Sequence, residues 1–266
     1  MKYKDVIRHM KKDEANNYYT VLKRKSGAML TWVILKLFPS ISANFVTLSM
    51  LPLNLLAAGM LYYAIVSFNL LFLFISLLIS FFTLSLDSVD GNIARIKKTA
   101  SIKGVFFDRL VHNICHPLYF FIIGFAFYET SNQIAYLIIF LIVGLLSELS
   151  PFDISQKDVE ALFIRQAVYH NTITYNYESH KNRDYKKQHT TNHFKSTVRK
   201  WITTILMNDF FYLMILLDML IFDKQYYFTV FLAFVDIIGM IYVRANINRW
   251  ENNLSEVLER LTVYKN

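Results

Sequence analysis

The chain has 266 residues, of which 55% are hydrophobic and 16% aromatic, with seven Gly and four Pro; this composition argues for helices that meet lipid and against a soluble globule. The formal charge of +8 flanks apolar runs, which suits anionic membrane surfaces and topology signals and argues against a nucleic-acid partner. A single cysteine, Cys115, excludes an intramolecular disulfide and any Cys-based zinc cluster, and is expected as a buried helix residue.

Residues 1–30 are polar and basic without the arrangement of a signal peptide, and are expected to stay cytoplasmic. The stretch AMLTWVILKLFPSIS, residues 28–42, is apolar but interrupted by Pro39 and too short to span comfortably. It predicts an amphipathic helix lying at the cytoplasmic interface, within an N-terminal segment of residues 1–44. Six runs of spanning length follow, at 45–66, 68–87, 104–128, 132–150, 203–222 and 226–244. The expected fold is therefore all-α: an integral membrane six-transmembrane-helix bundle over residues 45–244, with an N-terminal interfacial amphipathic helix. The third run carries Asp108, Arg109, His112 and His116 clustered at one end. Residues 151–202 form an insert rich in Lys, Arg, Asn, Tyr and His, including His170, His180, His189 and His193, without the spacing of a metal site. A solvated cytoplasmic loop is expected there. The tail, residues 245–266, places Leu254, Val257, Leu261 and Val263 in a rough helical stripe and predicts an amphipathic surface helix.

This assignment puts Lys224 alone among Lys and Arg in the outer loops, with the other 27 at the cytoplasmic side. Such asymmetry predicts a multi-pass protein with both termini and the 85–117 stretch facing the cytoplasm. Four further acids fall within or near spans: Glu148, Asp209, Asp218 and Asp236. Asp209 is placed to face a cavity near the cytoplasmic end, while a structural pairing accounts for any of the four equally well.

The densest chemistry lies in SLDSVDGNIARIKKTASIKGVFFDRLVHNICHP, residues 85–117. In helices, Asp87 and Asp90 stand one turn apart with Gly91 and Ala94 on the same side, while Gly104, Asp108 and His112 repeat every four residues on one face. A basic link turns these faces toward each other. Three carboxylates converging at the edge of a membrane suit a hard divalent cation, and the small residues leave room for a ligand. The plainer alternative is a charged loop between two helices, but ionisable groups that continue into an apolar run are costly and commonly functional.

At these positions the chain resembles the class I CDP-alcohol phosphatidyltransferase family, whose signature is D-x2-D-G-x2-A-R-x8-G-x3-D-x3-D. Asp87, Asp90, Gly91, Ala94, Arg95, Gly104 and Asp108 match at every spacing, and His112 stands where the family has its last Asp. Upstream, ISANFVTLSML (residues 41–51) is similar to the family's PN-x-x-T helix start, with Asn44 and Thr47 kept and Ala43 in place of Pro. With the hydropathy pattern, the resemblance covers roughly residues 15–245. It implies that Asp87, Asp90 and Asp108 bind two divalent cations, Mg²⁺ or Mn²⁺. It also implies that Asn44, Thr47, Gly91, Ala94, Arg95, Ser101 and Gly104, with Asp87, lie against the CDP moiety.

The family's last Asp is its usual general base, so His112 becomes the candidate base beside Asp108. An imidazole can accept a proton or ligate a divalent ion, and either role suits His112. His116, one turn on, is either a helper or a packed residue before Pro117.

The implied activity is transfer of a phosphatidyl group from CDP-diacylglycerol to a small polar alcohol or alcohol phosphate, with release of CMP, by a homodimer among membrane lipids. Transfer from a soluble CDP-alcohol to a lipid alcohol uses the same motif and stays open. A non-catalytic CDP-lipid binding protein is a further alternative, given the change at His112. A transporter would instead distribute its carboxylates in depth and break its helices with Gly and Pro.

Overall fold

The computed structural model describes residues 3–9, 18–99, 101–148, 210–222 and 225–244. Among them there are eight helices and no strand: α1 (Tyr3–His9), α2 (Tyr18–Leu37), α3 (Ala43–Val66), α4 (Leu70–Lys97), α5 (Ile102–Ser131), α6 (Ile134–Glu148), α7 (Phe210–Ile221) and α8 (Tyr227–Arg244). The 151–202 insert, Asp209 and the amphipathic tail lie outside the described residues, as does the side chain of Glu148.

Three helices, α3, α4 and α5, are long and apolar enough to cross a membrane. With 24, 28 and 30 residues, each exceeds the ~20 that a hydrocarbon core of ~30 Å requires. The apolar helices α6, α7 and α8 are shorter over their described lengths. Large apolar side chains on outward faces stay exposed, among them Phe74, Leu78 and Phe82 of α4, Phe121 and Phe125 of α5, and Phe231 and Ile238 of α8. A belt of this extent suits hydrocarbon rather than water.

Two boundaries differ from those expected. α4 does not stop at residue 87 but continues to Lys97, so the second span and the first half of the signature are one helix. Hydropathy falls from Asp87 onward because the residues become polar and charged; helix formation continues, since no proline interrupts the run. α2 begins at Tyr18, ten residues before the apolar stretch, because the basic turn ahead of it is also helix-forming.

The link between α4 and α5 is short and fully capped. Lys98 takes the left-handed conformation at φ 55°, and its N–H donates to the Arg95 carbonyl while Thr99 N–H donates to Ala94 O at 2.9 Å. This is a Schellman-type ending with Lys where Gly is usual. Ser101 then caps α5, its hydroxyl accepting from Gly104 N–H at 3.2 Å. Lys97 Nζ donates to the carbonyls of Pro39 and Ile41, both at 2.6 Å, which fastens the α2–α3 connection to the same corner.

Packing divides into two apolar clusters. One centres on Phe120, Phe127, Phe140, Phe211 and Tyr226 and joins α3, α4 and α5 to α6, α7 and α8. The other, with Val46, Met50, Leu86, Val89, Ile93, Val111 and Cys115, lies between α2, α3, α4 and α5 near the α4–α5 corner. Cys115 is buried, as expected. Asp218 is a structural group: its carboxylate accepts from the N–H groups of Phe228 and Thr229 and from the Thr229 hydroxyl, at 2.9, 2.8 and 2.6 Å, so α7 caps the start of α8.

Candidate metal centre at the α4–α5 corner

α4 runs into the corner and α5 runs out of it, so the last turns of one helix face the first turns of the next. Asp87 projects from α4, and Asp108 and His112 project from α5 one turn apart. One ligand-capable atom from each lies within 4.8 Å of the others. His112 Nε2 stands 3.1 Å from Asp87 Oδ1 and 3.3 Å from Asp108 Oδ1, so a single ring nitrogen addresses both carboxylates. His112 Nδ1 faces His116 Nε2 at 3.4 Å, with the two rings edge to face. His116 is thus held against His112, where a ring N–H between them fixes the orientation of the inner imidazole.

Asp90 is buried and stands apart from that group of three. Its Oδ2 accepts from Thr47 Oγ1 of α3 at 2.6 Å, and its Oδ1 accepts from Gly91 N–H. The first turns of α3 therefore reach the corner. Asn44 arrives with them: a Cβ added to Gly104 would lie 3.2 Å from Asn44 Oδ1. Arg95 folds back along α4, donating from Nη2 to Asn92 Oδ1 at 2.8 Å and lying over Gly91, where an added Cβ would meet Nη1 at 3.3 Å. Ala94 is half-buried one turn beyond Asp90. Ser101 is placed as the cap of α5. Of the eleven residues assigned from sequence to metal, CDP or base roles, ten therefore fall on α3, the end of α4 or the start of α5, and Ser101 caps α5.

One charged group was missed. Lys23 of α2 donates from Nζ to Asp87 Oδ2, with the lysine and aspartate side chains each about a fifth exposed. It is delivered by a close α2–α4 contact. Gly27 lies so near α4 that a Cβ there would stand 2.5 Å from Ser88 Cβ. Ser26 and Ser85 share a hydrogen bond of 2.8 Å, and Asn92 Nδ2 donates to Thr31 Oγ1 at 3.1 Å. The only trace of this in the sequence is the run of small residues Ser26, Gly27 and Ala28 directly after the basic Lys23–Lys25.

Two carboxylates and an imidazole within mutual reach could hold a metal ion. Comparison of the chain with family models, with curated proteins and with solved structures finds no match.

Proposed function

We propose that this protein is a membrane CDP-alcohol phosphatidyltransferase-like enzyme that moves a phosphatidyl group from CDP-diacylglycerol to the hydroxyl of a small polar alcohol or alcohol phosphate. The carrying observation is the convergence of Asp87, Asp108 and His112 across the α4–α5 corner, at the spacing of the family's signature. Further support comes from Asn44 and Thr47, separated by some forty residues from the motif, reaching Gly104 and Asp90 respectively. A six-span arrangement with cytoplasmic termini accommodates the three long and three shorter apolar helices and the one-sided distribution of Lys and Arg.

Asp87, Asp108 and His112 are the residues that would hold a cation, with Asp90 fixed beside them by Thr47. A divalent cation bound there would supply positive charge to the donor's diphosphate and to the departing CMP. In the transfer, the acceptor oxygen forms a bond to the phosphatidyl phosphorus as the bond from that phosphorus to the CMP oxygen breaks. The acceptor's proton would pass to His112 Nε2 where Asp87 and Asp108 hold the ion and that nitrogen keeps its lone pair, the ring being steadied through Nδ1 by His116. Arg95, lying across Gly91, carries positive charge toward the nucleotide side of the corner. Placement at the end of long apolar helices lets a lipid donor stay in the bilayer while a polar acceptor arrives from water.

The test is CMP release by the purified protein in lipid, supplied with CDP-diacylglycerol, Mg²⁺ or Mn²⁺ and a panel of polar alcohols. Metal-dependent CMP that requires one acceptor and disappears in Asp108→Ala establishes the activity. His112→Asp should retain turnover and His112→Ala should lose it; equal turnover in both removes His112 as the base. If only a CDP-linked polar alcohol with a lipid acceptor gives CMP, the direction is reversed. Binding of CDP without CMP in either direction replaces the enzyme with a nucleotide-lipid binder.

A further inference from the structure

Asp87 is shared between two partners. Its Oδ1 faces His112 and its Oδ2 takes the Lys23 ammonium, so one carboxylate is engaged on both sides before any metal arrives. A divalent ion held by Asp87, Asp108 and His112 must compete with that ammonium, because two cations drawn to one carboxylate repel each other. The competitor is not a loose surface lysine: α2 is fixed to α4 by the Gly27–Ser88 approach and by the Ser26–Ser85 and Thr31–Asn92 hydrogen bonds.

We propose that Lys23 is a built-in cation that competes with the divalent metal for Asp87 and is drawn off it by an anionic ligand. A phosphate oxygen placed between the ammonium and the metal turns their repulsion into two attractions, and an ammonium offers three donors for such a contact. Metal and diphosphate then assist each other's binding, and by linkage each strengthens the other by the same factor. Lys23 sets the size of that factor. The competition stands on the Asp87 contacts alone; the identity of the anion as the diphosphate of a CDP-linked substrate rests on the function proposed above.

The experiment is Mn²⁺ binding, followed by the loss of the free-ion electron paramagnetic resonance signal, to the full-length protein in detergent or lipid with and without CDP. Wild type is expected to bind Mn²⁺ weakly alone and more tightly with CDP. Lys23→Met should bind Mn²⁺ alone about tenfold more tightly and show a CDP enhancement smaller by about the same factor, within the usual range of couplings between sites. Lys23→Arg, which keeps the charge, should stay near wild type, and Lys23→Gln provides a second neutral variant should Lys23→Met elute as aggregate. Equal or weaker Mn²⁺ binding in the neutral variants overturns the proposal, as does absence of Mn²⁺ binding in every form. Tighter Mn²⁺ in the neutral variants with CDP inert throughout supports Lys23 as the competing cation and overturns the nucleotide reading of the site instead.

Discussion

Gly27→Ala isolates the helix contact that carries Lys23 into the corner. The added Cβ would lie 2.5 Å from Ser88 Cβ and 3.1 Å from the Ser85 carbonyl. Carbon atoms pack comfortably at about 3.5–4.0 Å, so α2 and α4 must separate by about 1 Å or more. Neither obstacle is the far end of a flexible side chain; one is a Cβ and the other a backbone oxygen. Overpacking of this kind costs about 1–3 kcal/mol, and the same displacement stretches the Ser26–Ser85 and Asn92–Thr31 hydrogen bonds. The control is Gly59→Ala in α3, where nothing lies within 4 Å of the added Cβ. There the substitution should be neutral or stabilising by up to about 1 kcal/mol, since Gly is the poorer helix former. Unfolding of both variants in mixed micelles under increasing SDS reads the difference directly. Should Gly27→Ala be as stable as Gly59→Ala, the α2–α4 approach is not as close as described, and the position of Lys23 falls with it.

Other substitutions address separate parts of the molecule. Thr47→Val removes the hydroxyl that donates to Asp90 Oδ2 while keeping the side chain's shape; metal-dependent CMP release should fall by about tenfold, the factor that corresponds to a lost hydrogen bond to a charged group, and Thr47→Ser should restore most of it. Asp218→Ala strips three acceptor contacts from the start of α8; resistance to SDS unfolding should drop by about 2 kcal/mol, with Mn²⁺ affinity at the distant corner unchanged. Gly104→Val brings side-chain bulk against Asn44; Mn²⁺ affinity and CMP release should both fall if α3 and α5 must meet there, and unaltered values of both would show that this approach is dispensable.

How far the site could be seen in the sequence depended on whether its parts shared a helix. Asp87, Asp90 and Gly91 keep helical spacing, as do Gly104, Asp108 and His112, so local periodicity alone put each set on one face. The Schellman-type ending at Lys98 and the Ser101 cap then decided how the two faces meet. Ser101 has a role that its place in the motif did not suggest: its hydroxyl accepts from Gly104 N–H and caps α5. Hydropathy placed the end of the second span at Asp87 because it measures compatibility with lipid, and α4 runs ten residues further because helix formation does not require lipid. The Lys23–Asp87 contact left no trace in the sequence beyond the small residues Ser26, Gly27 and Ala28. Nothing in the local pattern of a basic turn tells which distant carboxylate it will meet; that follows from small residues allowing two helix backbones to approach, a tertiary fact.

Lys23 and His112 act on one carboxylate. His112 contacts Asp87 through Oδ1, and Lys23 contacts it through Oδ2 and offsets part of its charge. Both nitrogen groups lower the uncompensated negative charge at the corner. Replacing both at once should expose that effect. His112→Asp alone leaves Lys23 to offset the new carboxylate, and Lys23→Met alone leaves the imidazole on Asp87. The double variant retains neither, and four acidic side chains crowd a half-buried corner without a positive partner from α2. Groups that share a partner do not act additively. The double variant should therefore lose more stability in chelator than the single variants together predict, and regain it steeply as Mn²⁺ is added, since a ligand that binds the folded state alone stabilises it in proportion to the logarithm of its excess over Kd. Unfolding curves of the four proteins across a Mn²⁺ series measure this coupling. Additive losses, or a double variant indifferent to Mn²⁺, would separate Lys23 from His112 and leave Asp87 without the central role that its two contacts imply.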